Sequence, residues 1–207
     1  KTIINRENQR RQEALIDAMF QDYSKLLFIR LDLYCQKQYA DVITQEVMNE
    51  AFTRLRNNMR FNRLFEHYIT YCTKLEYGPE RGWHFHVLFF FNGQKVQNDY
   101  LLAQQIGEYW SHTITRGWGH YFSANMNRQQ YNNFSMGMIS YHDREHIQGA
   151  KAAASYLTKE TAVHPNVPMH DAAGKLYRSY RQGQYKPAGT TMGRPRLHDV
   201  FEKQQYS

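Results

Sequence analysis

The stretch 76-EYGPERGWHFHVLFFFNG-93 decides the fold. Its turn, 77-YGPERG-82, separates two runs rich in aromatic and β-branched residues, a pattern that reads as an antiparallel hairpin. In a strand, alternate residues share a face. Trp83, Phe85, Val87, Phe89 and Phe91 therefore point into a core. His84 and His86 point the other way, about 7 Å apart along the strand. The preceding run, 67-HYITYCTKLEY-77, sets Ile69, Tyr71 and Leu75 on one face and Thr70, Cys72, Lys74 and Glu76 on the other. With Glu76 roughly opposite His84, its carboxylate joins the two imidazoles.

Two neutral imidazoles and a carboxylate on rigid strands make a facial site for a divalent cation, with positions left for water and phosphate oxygens. The mixture of N and O donors suits Mn2+ or Mg2+ in phosphoryl transfer. Zinc would want a fourth ligand, and neither Cys35 nor Cys72 is placed to give one. An isolated H-x-H also suits strand histidines that only satisfy hydrogen bonds. The parity of Glu76 and the glycine-flanked turn favour the cation.

Outward from the hairpin, 26-LLFIRLDLY-34 alternates as a half-buried strand. Leu27, Ile29, Leu31 and Leu33 share one face; Phe28, Arg30, Asp32 and Tyr34 share the other. Helices are expected over 5–20, over 41–62 with Asp41 as N-cap, over 99–113 and over 146–160. Further strands are expected at 119–126 and 134–142. The order implies an α+β domain with a mostly antiparallel sheet, helices on one face and the other face open. The prolines and glycines concentrated in 164-HPNVP-168 and 186-KPAGTTMGRPR-196 mark a loop-rich basic extension. This divides the chain into a domain over 1–163 and an extension over 164–207.

The 207 residues, 42% of them hydrophobic, are enough for one well-cored domain. A formal charge of +7 favours an anionic partner, nucleic acid foremost. Arg30, a basic helix side with Arg54, Arg56 and Arg60, and Lys175, Arg178, Arg181, Lys186, Arg194 and Arg196 are candidates to track phosphates. No apolar run approaches the ~20 residues of a membrane span. The polar, basic N-terminus has no signal-peptide core, and the two cysteines read as reduced thiols, so a cytoplasmic location is expected. The chain does not begin with Met, which suggests a piece of a longer protein.

A cation that polarises a phosphate needs a nucleophile. Tyr-x-x-Lys spacing occurs at Tyr34/Lys37, Tyr71/Lys74 and Tyr156/Lys159. On a strand, an offset of three puts the two on opposite faces. Only Tyr156 and Lys159 fall on an expected helix, where such a pair is adjacent. They sit off its core stripe of Ile147, Ala150, Ala154 and Leu157, beside the small residues Ala152, Ala153 and Ser155.

Gly82-x-His84-Phe85-His86 with upstream Glu76-x-Gly78, and downstream Tyr156-Leu157-x-Lys159, resemble the HUH endonucleases. These are rolling-circle replication initiators, relaxases and related transposases. The strand 28-FIRLDL-33 is similar to the first motif of the filamentous-phage and prophage initiators. The resemblance runs from about Leu26 to Glu160. It implies a ferredoxin- or RRM-like core in a bacterial setting, with His84, His86 and Glu76 binding the metal. It also implies attack by Tyr156 on an origin presented as single-stranded or hairpin DNA. The products would be a 5′-phosphotyrosine and a free 3′-OH, with Lys159 steadying the charge and a host helicase as a candidate partner. Two-tyrosine members carry a second Tyr four residues earlier; here that residue is Ala152, which implies a single-tyrosine enzyme. Tyr141 is a weaker candidate for a second nucleophile. The alternatives are a transposase or relaxase, a non-catalytic nucleic-acid-binding module, or, less well matched, an H-x-H metal oxygenase.

Overall fold

The computed structural model describes residues 3–160, 170, 173–175 and 177–187. The hairpin forms as its pattern requires: β2 (Tyr68–Gly78) pairs antiparallel with β3 (Gly82–Asn92), setting Glu76 opposite His84. The long strand β1 (Lys25–Cys35) lies on the other side of β3, with Asp32 opposite His86. Two short strands share the far edge of β1. β4 (Gly119–Ser123) pairs with Leu31–Cys35, and β5 (Gly137–Ser140) pairs with Lys25–Phe28. A last strand, β6 (Tyr180–Gln182), adds to β2. The order is β4-β1-β3-β2-β6, and every strand pairing among the described residues is antiparallel.

The expected α+β class and antiparallel sheet are therefore present, but helices do not keep to one face. Helices α2 (Gln45–Met59) and α3 (Asp99–Glu108) cover the side carrying Leu27, Ile29, Leu31, Val87, Phe89 and Phe91. Helices α1 (Arg6–Asp22) and α4 (Arg144–Ala154) cover the side carrying Leu26, Phe28, Leu88 and Phe90. The reason is legible in 87-VLFFF-91. Beyond His86 the strand stops alternating, and all five residues are fully buried. A strand apolar on both sides needs cover on both sides. Only the polar row at the other end of the same face escapes α1 and α4.

Local chemistry moves several boundaries. Thr44, not Asp41, caps α2 by accepting from the Val47 amide, because 37–42 is spent in a 3-10 turn and its continuation. The expected helix over 99–113 ends its α-form at Glu108 and continues as a π turn, Tyr109–Ile114. The strands expected at 119–126 and 134–142 are shorter at β4 and β5. Phe134 thus lies in the connecting loop. Helix α4 stops at Ala154, and a 3-10 turn, Ser155–Thr158, carries Tyr156. Lys159 lies beyond the helix in extended backbone, bridged to Ile4. Within the segment expected as loop, β6 forms an edge strand, too short for its alternation to show.

Candidate metal and phenol site

The pairing of β1, β3 and β2 places Asp32, His86 and Lys74 in one row, with Glu76 and His84 as neighbours. Glu76 Oε1 lies 2.7 Å from His86 Nε2 and 3.3 Å from His84 Nε2. One ligand atom from each of the three lies within 4.8 Å of the others, the only such group among the described residues.

The far side of each imidazole is held. His84 Nδ1 lies 3.0 Å from the Gly82 carbonyl, so it carries the proton and donates. His86 Nδ1 lies 2.6 Å from Asp32 Oδ1. Burial would raise the Asp32 carboxyl, but hydrogen bonds from His86 and Arg30 outweigh it and hold the group below its ordinary value. Asp32 is thus the acceptor and His86 Nδ1 the donor. Both imidazoles turn Nε2 toward Glu76, with ring orientations fixed from behind as metal-ligating histidines require. The donor set fits a divalent cation. Without one, His86 Nε2 must itself donate to Glu76. Burial lowers the His86 pKa, but the bonds to Asp32 and Glu76 more than reverse this and raise it. Glu76 behaves alike: burial works against its ionised form, yet His84, His86 and Lys74 hold its pKa far below the carboxylate range.

Tyr156 hangs over this cluster. Its hydroxyl lies 3.5 Å from Glu76 Oε1, and its ring stands edge-on to His86 at 5.5 Å. Three cations surround the ring: Lys159 Nζ at 4.6 Å, Lys74 Nζ at 5.5 Å and the Arg30 guanidinium at 5.9 Å from its centre. The residue is 38% exposed, open to a ligand from solvent. Burial and the charge of Glu76 raise its pKa, with Arg30 opposing. The turn bearing it is pinned to the start of the chain, where the Asn5 amide donates to the Thr158 carbonyl and the Glu160 amide to the Ile3 carbonyl.

Glu76, His84, His86, Tyr156, Lys159 and Arg30 are thus brought together. The other candidate phosphate contacts are not. Arg54 donates to the Ile114 carbonyl and Arg56 lies over the Tyr71 ring, both on the side of the sheet away from Tyr156. Arg60 follows the end of α2. Arg181 donates to Asn49 and covers Phe52 and Phe85 on that same far side, with exposed Arg178 nearby. Arg194 and Arg196 lie outside the described residues. Asp32 and Lys74, whose ammonium lies 2.7 Å from Glu76 Oε2, were not singled out from the sequence. Strand parity gives their face but not their partners; those follow from the β1–β3 and β2–β3 register.

The fold and site define an α+β domain with a two-histidine, one-carboxylate cluster beneath an exposed phenol. Residues 4–171 match the family described as the YagK/YfjJ C-terminal domain, and the chain belongs to that family. No curated protein and no solved structure matches it. Among the described residues no helix is long and apolar enough to cross a membrane.

Proposed function

We propose that the protein is a metal-dependent single-strand DNA endonuclease and strand transferase that works through a tyrosyl–DNA bond, in the manner of a rolling-circle initiator. The observation that carries this reading is the phenol of Tyr156, ringed by Lys159, Lys74 and Arg30 and 3.5 Å from Oε1 of Glu76. Mn2+ or Mg2+ bound by Glu76, His84 and His86 would supply Lewis acidity at the scissile phosphate.

The chain's own groups do the rest. Tyr156 Oη attacks phosphorus, forming an Oη–P bond as the P–O3′ bond breaks. The phenol gives up one proton and the departing 3′ oxygen gains one, so the exchange is neutral overall. Lys159 and Arg30, beside the phenol, would take up the charge of the phosphate. Asp32 keeps His86 in the binding tautomer, and Lys74 offsets the second oxygen of Glu76. Attack by the 3′-OH on the phosphotyrosine reverses the step and rejoins the strand.

A two-histidine, one-carboxylate set also suits non-haem iron. Three cations around a phenol favour a phosphate substrate instead. The test is cleavage of a labelled pool of single-stranded hairpins with Mn2+. Cleavage blocked by EDTA supports the reading. Tight binding of that pool, including the cognate hairpin, without cleavage in any divalent metal contradicts it and favours a binding module.

A further inference from the structure

Beside Tyr156, on the side toward β4, lies a cleft of about 230 Å3. It is smaller than the roughly 300–1,000 Å3 of pockets for drug-sized ligands. Its walls are mostly carbon: Phe122 from β4, and Tyr131 and Phe134 from the loop before β5. Asn133 adds an amide, and Tyr156 and Arg30 form the side shared with the metal cluster.

Two features mark the cleft as more than a packing gap. Tyr131 is 43% exposed and its ring lies 6.0 Å from that of Phe134, so two aromatic faces line an open cleft. Phe134 is itself steadied by the Arg128 guanidinium, 5.1 Å from its ring centre. Arg30 holds Asp32 through Nη2, but its Nε is buried without a hydrogen-bond partner. A buried donor left unmade is costly, so an acceptor brought within its reach is favoured.

We infer that this cleft is a nucleobase pocket, taking the unstacked base next to the scissile phosphate of single-stranded DNA. This rests on the reading of Tyr156 as the attacking group. Every base has a π-face, and stacking on aromatic side chains is how single strands are gripped. Extruding one base into a snug pocket also fixes the backbone beside it. Arg30 links the two sites: it lines the cleft, and its guanidinium lies 5.9 Å from the centre of the Tyr156 ring. Asn133 can both donate to and accept from a base edge. The pocket sets sequence preference at one position, and the positive rim supplies the rest of the affinity.

The experiment uses the full chain and four random single-stranded DNA pools, each with one base in a halogenated, photoreactive form. Cross-links are mapped by peptide sequencing in EDTA, and Tyr156 adducts are mapped separately with Mn2+. The proposal expects cross-links at Tyr131 or Phe134 in at least one pool. It also expects Tyr131→Ala and Asn133→Ala to weaken binding, the former by roughly 5- to 150-fold. Cross-links at these rings without a Tyr156 adduct would keep the pocket and remove the nuclease. A Tyr156 adduct without cross-links at either ring would remove the pocket and keep the nuclease. Cross-links confined to the α2 arginine side, or no binding to any pool, would overturn the pocket.

Discussion

Asp32 on β1 and His86 on β3 stand directly opposite each other, and the Asp32 carboxylate accepts a hydrogen bond from His86 Nδ1 at 2.6 Å. That bond decides which nitrogen of His86 faces Glu76. Asp32→Asn keeps the shape and removes the charge. It is expected to weaken Mn2+ binding by about 10- to 100-fold with little change in fold. Calorimetric titration of both proteins, with circular dichroism as the control, measures this; unchanged affinity would show that Asp32 does not hold the ligand.

Lys74 and Glu76 form a largely buried pair at 2.7 Å. Lys74→Met leaves the carboxylate without its cation. In EDTA the variant should lose about 3 kcal/mol, the low end for a broken buried pair. That is a fall of roughly 6–12 °C in Tm for a chain of this size. A divalent cation replaces the missing charge, so added Mn2+ should restore more stability to the variant than to the parent. Equal Mn2+ shifts in thermal melts would contradict a cation at Glu76.

Gly82 opens β3 with φ +65°, and a Cβ there would lie 2.9 Å from the Ala40 carbonyl oxygen. Its own carbonyl accepts from His84 Nδ1. Gly82→Ala combines a left-handed backbone with a backbone clash, at a cost of at least about 1–2 kcal/mol. It should also disturb His84. The expected result is a lower Tm together with weaker Mn2+ binding, whereas a variant with parental values for both would refute this account of the turn.

Cys72 is fully buried with its thiol pushed up to about 12, and burial also raises Cys35, which is 1% exposed. Neither should form an appreciable thiolate at pH 8 in the native chain. Iodoacetamide should label neither until denaturant is added, as read by intact mass. Rapid native labelling of Cys72 would mean that the α1/α4 side opens readily.

The hairpin, the parity of Glu76 with the two histidines, and the core stripe of α4 were legible because each rests on a local period. Leu27 to Leu33 and Ile147 to Leu157 keep those periods cleanly. What was not legible depends on partners distant in sequence. Asp32 could be assigned a face but not a neighbour until β1 was set against β3. The cover on both faces was present in 87-VLFFF-91, but the alternation of 83–87 masked it. Lys159 reaches Tyr156 from extended backbone rather than along a helix, because the chain straightens to bridge Ile4. Strand β6 has only three residues, too few to carry a pattern.

The central claim is that Tyr156 is the nucleophile. The parent chain and Tyr156→Phe are mixed with labelled single-stranded hairpin DNA and Mn2+, with and without EDTA, and run on a denaturing gel. The account predicts an EDTA-sensitive protein–DNA adduct in the parent that maps to Tyr156. In Tyr156→Phe the adduct should be absent while DNA binding is retained. An adduct that persists in Tyr156→Phe, or that maps to another residue, would contradict it.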